Sequence, residues 1–181
     1  DGVKRGLVGE ILSRFEKRGL KIIALNMVLA SKENMDNHYP KDDAWIKRLG
    51  EKSLANYQQY GVDPREKLGT DDSFEIGKMI RKWVVEYMTS GPIVKGVVSG
   101  VHAIDMVRKI CGNSLPNLAD MGTIRGDFSV DSAVSANLNN RSIKNIIHAS
   151  ENEKEVKNEM VLWFKENEIH DYKRAEEDIM F

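Results

Sequence analysis

An α+β fold is predicted by three features of this sequence. Residues 20–30 (LKIIALNMVLA) are apolar on both alternating faces, the pattern of a buried strand, and PIVKGVVSG from Pro92 has the β-branched content of a second. Segments with apolar residues at helical spacing flank and separate them, several opened by capping residues. The two kinds of element alternate along the chain with no internal repeat.

The chain opens on a turn, Asp1-Gly2-Val3-Lys4. A helix follows at once, with Leu7, Val8, Ile11, Leu12 and Phe15 on one face and Gly19 as its stop. After the first strand, residues 31–39 form a short helix. Residues 40–72 differ from their surroundings. Trp45, Ile46, Leu49, Leu54, Tyr57 and Tyr60 give a helix with a modest apolar face, and Asp63-Pro64-Arg65-Glu66 caps another. The stretch can be lifted out without breaking the flanking pattern, so it reads as an insertion.

Asp72 with Glu75 opens a helix bearing Ile76, Met79, Ile80, Trp83, Val84, Tyr87 and Met88, ended by Gly91-Pro92. Residues 101–111 are helical through Ile104, Val107 and Cys111. A segment without periodicity then runs from Asn113 to about Lys144 and contains TIRGDF. NIIH at 145–148 reads as a short buried strand. Ser150 with Glu153 reads as a third capping box, before a helix with Val156, Met160, Trp163 and Phe164 inward. Helix, strand, helix, strand, helix, loop, strand, helix is the order of a split βαβ, or ferredoxin-like, fold without its first strand.

Composition narrows the function classes. The chain has 181 residues, enough for one domain carrying insertions. Its 27 basic and 28 acidic side chains leave a net charge of −1, which argues against a nucleic-acid coat and predicts no specific nucleic-acid partner. Anion binding must therefore come from a few placed Arg and Lys residues. The single cysteine, Cys111, excludes an internal disulfide framework and fits a reducing compartment. No apolar run approaches the ~18 residues of a membrane span, and no signal-peptide pattern opens the chain. A soluble, cytoplasmic, single-core protein is expected.

Familiar nucleotide motifs are absent. Gly2, Gly6 and Gly9 do not fit G-x-G-x-x-G, and the G-x-x-x-x-G of Gly91 to Gly96 is followed by Val97-Val98 instead of Lys-Ser/Thr. The four histidines, His38, His102, His148 and His170, never pair at metal-ligand spacing. His148 stands apart, at the end of an apolar run two residues before a helix start, where backbone N–H groups favour an anion. Its imidazole, with a reference pKa near ~6.5, is mostly neutral at pH 7 and can serve as a nucleophile. Glu159, one turn before Trp163, can reach back to orient it. Pattern alone equally fits a core histidine. Arg108 can complement its own helix C-terminus, and Arg125 can pair with Asp127; with the Ser114 hydroxyl, the two guanidiniums can equally grip a polyphosphate. Cys111 reads as a small core residue.

Taken together, DGVKRGLVGEILSRFEKRGLKI, HY at 38–39, EYMTSGPIV, VRKICGNSLP, GTIRGDF, NIIHAS and EMVLWF resemble the nucleoside diphosphate kinases, in that family's order. The resemblance implies a single domain over 1–181 with insertions at about 40–72 and 131–143, around a four-stranded antiparallel sheet with helices on its faces. It implies phosphoryl transfer from a nucleoside triphosphate to a nucleoside diphosphate through a phosphohistidine at His148, with Mg²⁺ as cofactor held mainly by the nucleotide phosphates. Tyr39 resembles the tyrosine whose hydroxyl approaches the transferred group. Arg108, Ser114 and Arg125 fall at the phosphate-binding positions, Ser114 standing where the family has Thr. Asn145 matches the asparagine that meets the sugar, Glu159 the glutamate beside the histidine, and Ser150 the serine just after it.

Three departures follow. The family's first strand and its lysine fall before Asp1, and the expectation is that residues upstream supply them. The Pro-Phe-Phe that stacks on the base in compact members is absent, its position falling at Ile80, so residues 40–72 are expected to supply another surface. Additional residues around SAVSANLNNRSI separate Phe128 from Asn145, as in an insert-bearing subgroup. Nucleoside triphosphates and diphosphates are the expected partners, in a homo-oligomer. A non-catalytic relative binding a nucleotide or a partner on the same scaffold is the alternative.

Overall fold

Aspartate caps set three of the helix starts. Asp42, Asp63 and Asp72 accept from the backbone N–H groups of Trp45, Arg65 and Glu75 at 2.8–2.9 Å, filling donors that the first helical turn leaves unpaired. Two of these three caps are legible in the sequence. The computed structural model describes residues 1–180. Its elements are α1 (Val8–Lys17), β1 (Lys21–Leu29), α2 (Lys32–His38), α3 (Asp43–Gln59), α4 (Pro64–Leu68), α5 (Ser73–Met88), β2 (Pro92–Ser99), α6 (Ala103–Cys111), α7 (Ile124–Phe128), α8 (Ala133–Leu138), α9 (Glu153–Trp163) and α10 (Glu177–Met180). Short 3-10 turns lie at Pro116–Leu118 and Glu166–Glu168. No helix among the described residues is long and apolar enough to cross a membrane.

The chain divides into two compact units. The first holds residues 1–29, 92–129 and those from 145 on; the second holds 30–91 and 130–144. In the first, β1 and β2 pair antiparallel from Lys21 opposite Ser99 to Leu29 opposite Pro92, with a bulge at Ile23. Ile11 and Phe15 of α1, Leu20, Cys111 of α6 and Ile124 of α7 form the buried core, and Ile146 and Ile147 pack against it. The tail after α9 crosses the start of β1, where the His170 N–H and the Tyr172 hydroxyl donate to the carbonyls of Ile23 and Ile22, each at 2.8 Å.

Three sequence expectations need correction here. The first strand is not buried on both faces: Leu25, Met27 and Leu29 share one side of β1, and Leu29 is 75% exposed. Residues 145–148 are not a strand, because Ile146 has φ +71° and the Ile147 N–H turns back to the Asn145 carbonyl at 2.8 Å, a bond that leaves no ladder geometry. The last cap is Asn152, which accepts from Glu155 N–H at 3.0 Å; the Ser150 hydroxyl is instead donated to Glu159. Helix α9 accordingly starts at Glu153; its Val156, Met160, Leu162 and Trp163 are half-buried, and Val161 is exposed.

The second unit is built on α3 and α5. Gly50 and Gly77 sit where these helices touch: a Cβ at Gly50 would stand 1.7 Å from the Ser73 carbonyl oxygen, and one at Gly77 1.9 Å from that of Ile46. The inward face of α3 is Ile46, Gly50, Ser53 and Tyr57, with Tyr60 outside it. The apolar residues noted in the sequence therefore capture only part of this face. Helix α8, from the segment around 131–143, packs on α3: the buried Tyr57 hydroxyl donates to the Asn137 carbonyl at 3.1 Å, and the Asn137 amide to Ser53 Oγ at 2.8 Å. Asp131 and Arg141 close this segment through two hydrogen bonds of 2.5 and 2.9 Å.

Candidate active site

His148 leaves the core two residues after the Ile146 turn and is an exposed residue of the first unit. Its Nε2 lies 3.0 Å from Glu159 Oε1, and the Ser150 hydroxyl donates to Glu159 Oε2 at 2.5 Å. Glu159 projects from the second turn of α9, so one carboxylate joins the histidine and the serine across that helix's start. An ionised carboxylate only accepts. With the ring neutral and the carboxylate ionised, this contact puts the His148 proton on Nε2 and leaves the in-plane lone pair on Nδ1. The core-histidine alternative does not hold, since the side chain is 44% exposed.

Beneath this loop lies Arg125, only 7% exposed. Thr123 caps α7 by accepting the Gly126 N–H at 3.1 Å, and this short helix aims Arg125 inward. Its Nε donates to the Asn145 carbonyl at 3.1 Å, Nη1 to Gly112 at 2.7 Å and Nη2 to Ile147 at 2.5 Å. Burial pulls the pKa of this guanidinium down, the neighbouring Arg108 charge adding to the effect. Gly112 is required at its turn: φ is +78°, and a Cβ would stand 2.3 Å from Thr123 Oγ1. Arg125 does not pair with Asp127, as the sequence allowed; Asp127 pairs with Arg14 at 2.7 Å and accepts the Gly122 N–H at 2.7 Å.

Arg108 lies in the last turn of α6, exposed, 3.7 Å from the exposed Glu151 carboxylate. Ser114 is exposed in the loop after α6, and its carbonyl accepts from the Asn145 amide at 3.2 Å. Hydrogen bonds thus join Gly112, Ser114 and Asn145 to one another through Arg125 of α7 and the Asn145 amide, next to the segment that carries His148. Tyr39 belongs to the second unit, at the C-cap of α2, where its ring meets His38 edge-on at 4.7 Å and Trp45 at 6.4 Å. Cys111 is buried, and burial raises its thiol to about 11, so it is a neutral core group at pH 7.

Two features of the site escaped the sequence. The Asn145 and Ile147 carbonyls are bound by a side chain some twenty positions earlier, and the Ile146 N–H by Asp1. Only the apolar run at 145–147 hinted that this backbone is buried, and it hinted at the wrong element.

Residues 1–47 and 75–169 match the family model described as nucleoside diphosphate kinase. The chain is 50% identical over 169 residues to a nucleoside diphosphate kinase of Pyrobaculum aerophilum, spanning 93% of this chain and 92% of that protein. The crystal structure of an NDP kinase from the same organism is similar with a TM-score of 0.90 and 47% identity, covering 94% of each chain. A nucleoside-diphosphate kinase from Borrelia burgdorferi, solved as a transition state mimic with bound vanadate and ADP, gives a TM-score of 0.78 at 37% identity, over 98% of this chain and 89% of that one.

Proposed function

This chain belongs to the nucleoside diphosphate kinase family, whose reaction moves the γ-phosphoryl of a nucleoside triphosphate to a nucleoside diphosphate, and we propose that here the group passes through His148. One observation carries the proposal. The Glu159 carboxylate accepts a hydrogen bond from His148 Nε2 at 3.0 Å, which selects the tautomer whose Nδ1 lone pair can attack phosphorus. In the first step Nδ1 forms a bond to the γ-phosphorus, and the bond from that phosphorus to the bridging oxygen breaks. The diphosphate leaves with the electron pair. Glu159 offsets the imidazolium charge that develops, and Ser150 holds the second oxygen of Glu159. In the second step a diphosphate in the same place attacks the phosphohistidine and restores the neutral ring.

Arg108, Ser114 and Arg125 would hold phosphate oxygens and Asn145 the sugar hydroxyl. Preorganised donors of this kind lower the barrier by stabilising charge spread over the phosphoryl oxygens. Arg108 suits the task because its pairing with Glu151 is long and exposed, and a phosphate can displace it. Arg125 gives three of its five N–H donors to carbonyls, and the remaining two can serve a phosphate from below. Both Glu159 oxygens are engaged, so the donor set suits a divalent cation, Mg²⁺, arriving on the nucleotide phosphates as part of the substrate.

We read the fold as one ferredoxin-like domain with insertions at about 40–72 and 131–143; the described residues pair two strands, β1 and β2, and the four-stranded sheet that the family resemblance implies would need two more. The family match leaves out residues 48–74, which supports the first insertion. A homo-oligomer would cover the exposed Leu25, Met27 and Leu29. The unpaired thiol of Cys111 suits a reducing compartment such as the cytoplasm. A coupled assay with ATP and a second nucleoside diphosphate tests the two-step scheme. Parallel double-reciprocal lines are expected; intersecting lines would mean that both nucleotides bind at once.

A further inference from the structure

We propose that Asp1 is a positioning residue for the transfer: its carboxylate holds the Ile146 N–H in a strained turn that presents His148. Three non-glycine residues among those described have a positive φ, and two of them, His102 and Asn140, are of types that tolerate it. Ile146 is the third, and it is β-branched. Its φ of +71°, with the Ile147 N–H on the Asn145 carbonyl at 2.8 Å, makes a γ-turn of the rare, strained kind. Strain of this sort persists only where the surroundings over-determine it.

The surroundings here are specific. Asp1 Oδ1 accepts the Ile146 N–H at 3.0 Å, from a side chain only 10% exposed. Arg125 binds the carbonyls on either side of the turn. Gly2 lets the opening turn lie against it, since a Cβ there would stand 2.9 Å from the Ile146 oxygen. The Ile146 side chain is packed on the core, so the turn is anchored on both its polar and apolar sides. The result is a chain reversal that ends one residue before His148 and sets its reach to Glu159. Without the Asp1 carboxylate, the Ile146 N–H loses its acceptor, and the backbone can relax to negative φ. That relaxation would swing the imidazole off line.

This inference rests on the phosphohistidine reading, and the experiment separates the two. The first-step rate from ATP, the nucleotide KM and the melting temperature are measured for the full-length protein and for Asp1→Ala, Asp1→Asn, Ile146→Gly and the Asp1→Ala/Ile146→Gly pair. Asp1→Ala should slow transfer about tenfold with nucleotide KM unchanged, the effect of releasing one strained residue. Asp1→Asn retains an accepting Oδ1 and should stay close to the parent. Ile146→Gly removes the strain, so it should restore transfer in the Asp1→Ala background; its lost packing lowers the melting temperature in both backgrounds and cancels in the cycle. If Asp1→Ala does not fold, the double variant should fold and transfer at the rate of Ile146→Gly alone. A parental rate in Asp1→Ala, or no recovery on adding Ile146→Gly, overturns the proposal. A parent that takes no phosphoryl group from ATP would instead fail the phosphohistidine reading itself.

Discussion

Arg14 and Asp127 form a 2.7 Å ion pair, and that pairing frees Arg125 for the loop that carries the nucleophile. Arg14 also donates to the Gly122 carbonyl at 3.1 Å and lies over the Phe128 ring, 4.8 Å from its centre. The Gly122 N–H and Arg14 together hold the Asp127 carboxyl below its ordinary range. Helix α1 is in this way fastened to the TIRGDF segment, and the guanidinium of Arg125 is left to bind three carbonyls that converge beneath His148.

Arg125→Lys keeps the charge and loses the planar fork. One ammonium cannot reach three carbonyls on separate strands of loop, so at least one buried acceptor is left without a donor, at a cost of about 1–3 kcal/mol. Urea denaturation should register that loss. Phosphoryl transfer should fall further than nucleotide affinity, because the same substitution releases both flanks of the Ile146 turn. Parental stability together with parental turnover would contradict the clamp described here.

The second unit offers a test by pH. Burial alone would raise the Asp131 pKa, but the Arg141 guanidinium and the N–H groups of Lys144 and Ser132 outweigh it and bring the carboxyl to about 2. A carboxyl depressed in the folded state stabilises at pH above its unfolded value, near ~3.9, and that contribution is lost as pH falls through about 2. Asp131→Asn should therefore cost about 2 kcal/mol at neutral pH, with the gap to the parent closing between roughly pH 4 and 2. Urea midpoints across that range provide the check. A gap independent of pH would mean that the Arg141 bond is unimportant.

Much of this architecture is legible in the sequence where structure is local. The apolar face of α1 and the caps at Asp63 and Asp72 involve residues within a turn or two of each other, and each stands where spacing predicts. On α5 the buried residues are Ile76 together with Gly77 and Val85, and spacing picks out only Ile76 of these. The losses come where distant groups decide. NIIH has strand composition, yet Asp1 and Arg125 capture its backbone and bend it. Ser150 has the spacing of a cap, but Glu159, nine residues on, takes its hydroxyl. Gly50 and Ser53 carry no apolar signal, although they lie on the buried face of α3: α5 comes too close to Gly50 for any side chain, and Ser53 Oγ accepts from the Asn137 amide of α8. In the site, the residue types are readable and their partners are not: spacing allows Arg125 either to pair with Asp127 or to bind phosphate, and cannot show that Arg14 holds Asp127.

The phosphoenzyme is the most direct test of the central claim, that His148 carries the phosphoryl group between nucleotides. Phosphorus on an imidazole nitrogen is labile in acid and durable in base, the reverse of phosphoserine, and a covalent intermediate should persist when no acceptor is present. Full-length protein mixed with ATP and Mg²⁺ should gain one acid-labile phosphoryl group per chain and lose it when a nucleoside diphosphate is added. Ser150 is a nearby competing nucleophile, 2.5 Å from the Glu159 carboxylate, and Ser150→Ala should still be labelled. His148→Asn keeps a polar group on an exposed side chain, so it should fold and take no label. Normal labelling of His148→Asn, or a label on the parent that withstands acid, would contradict the account.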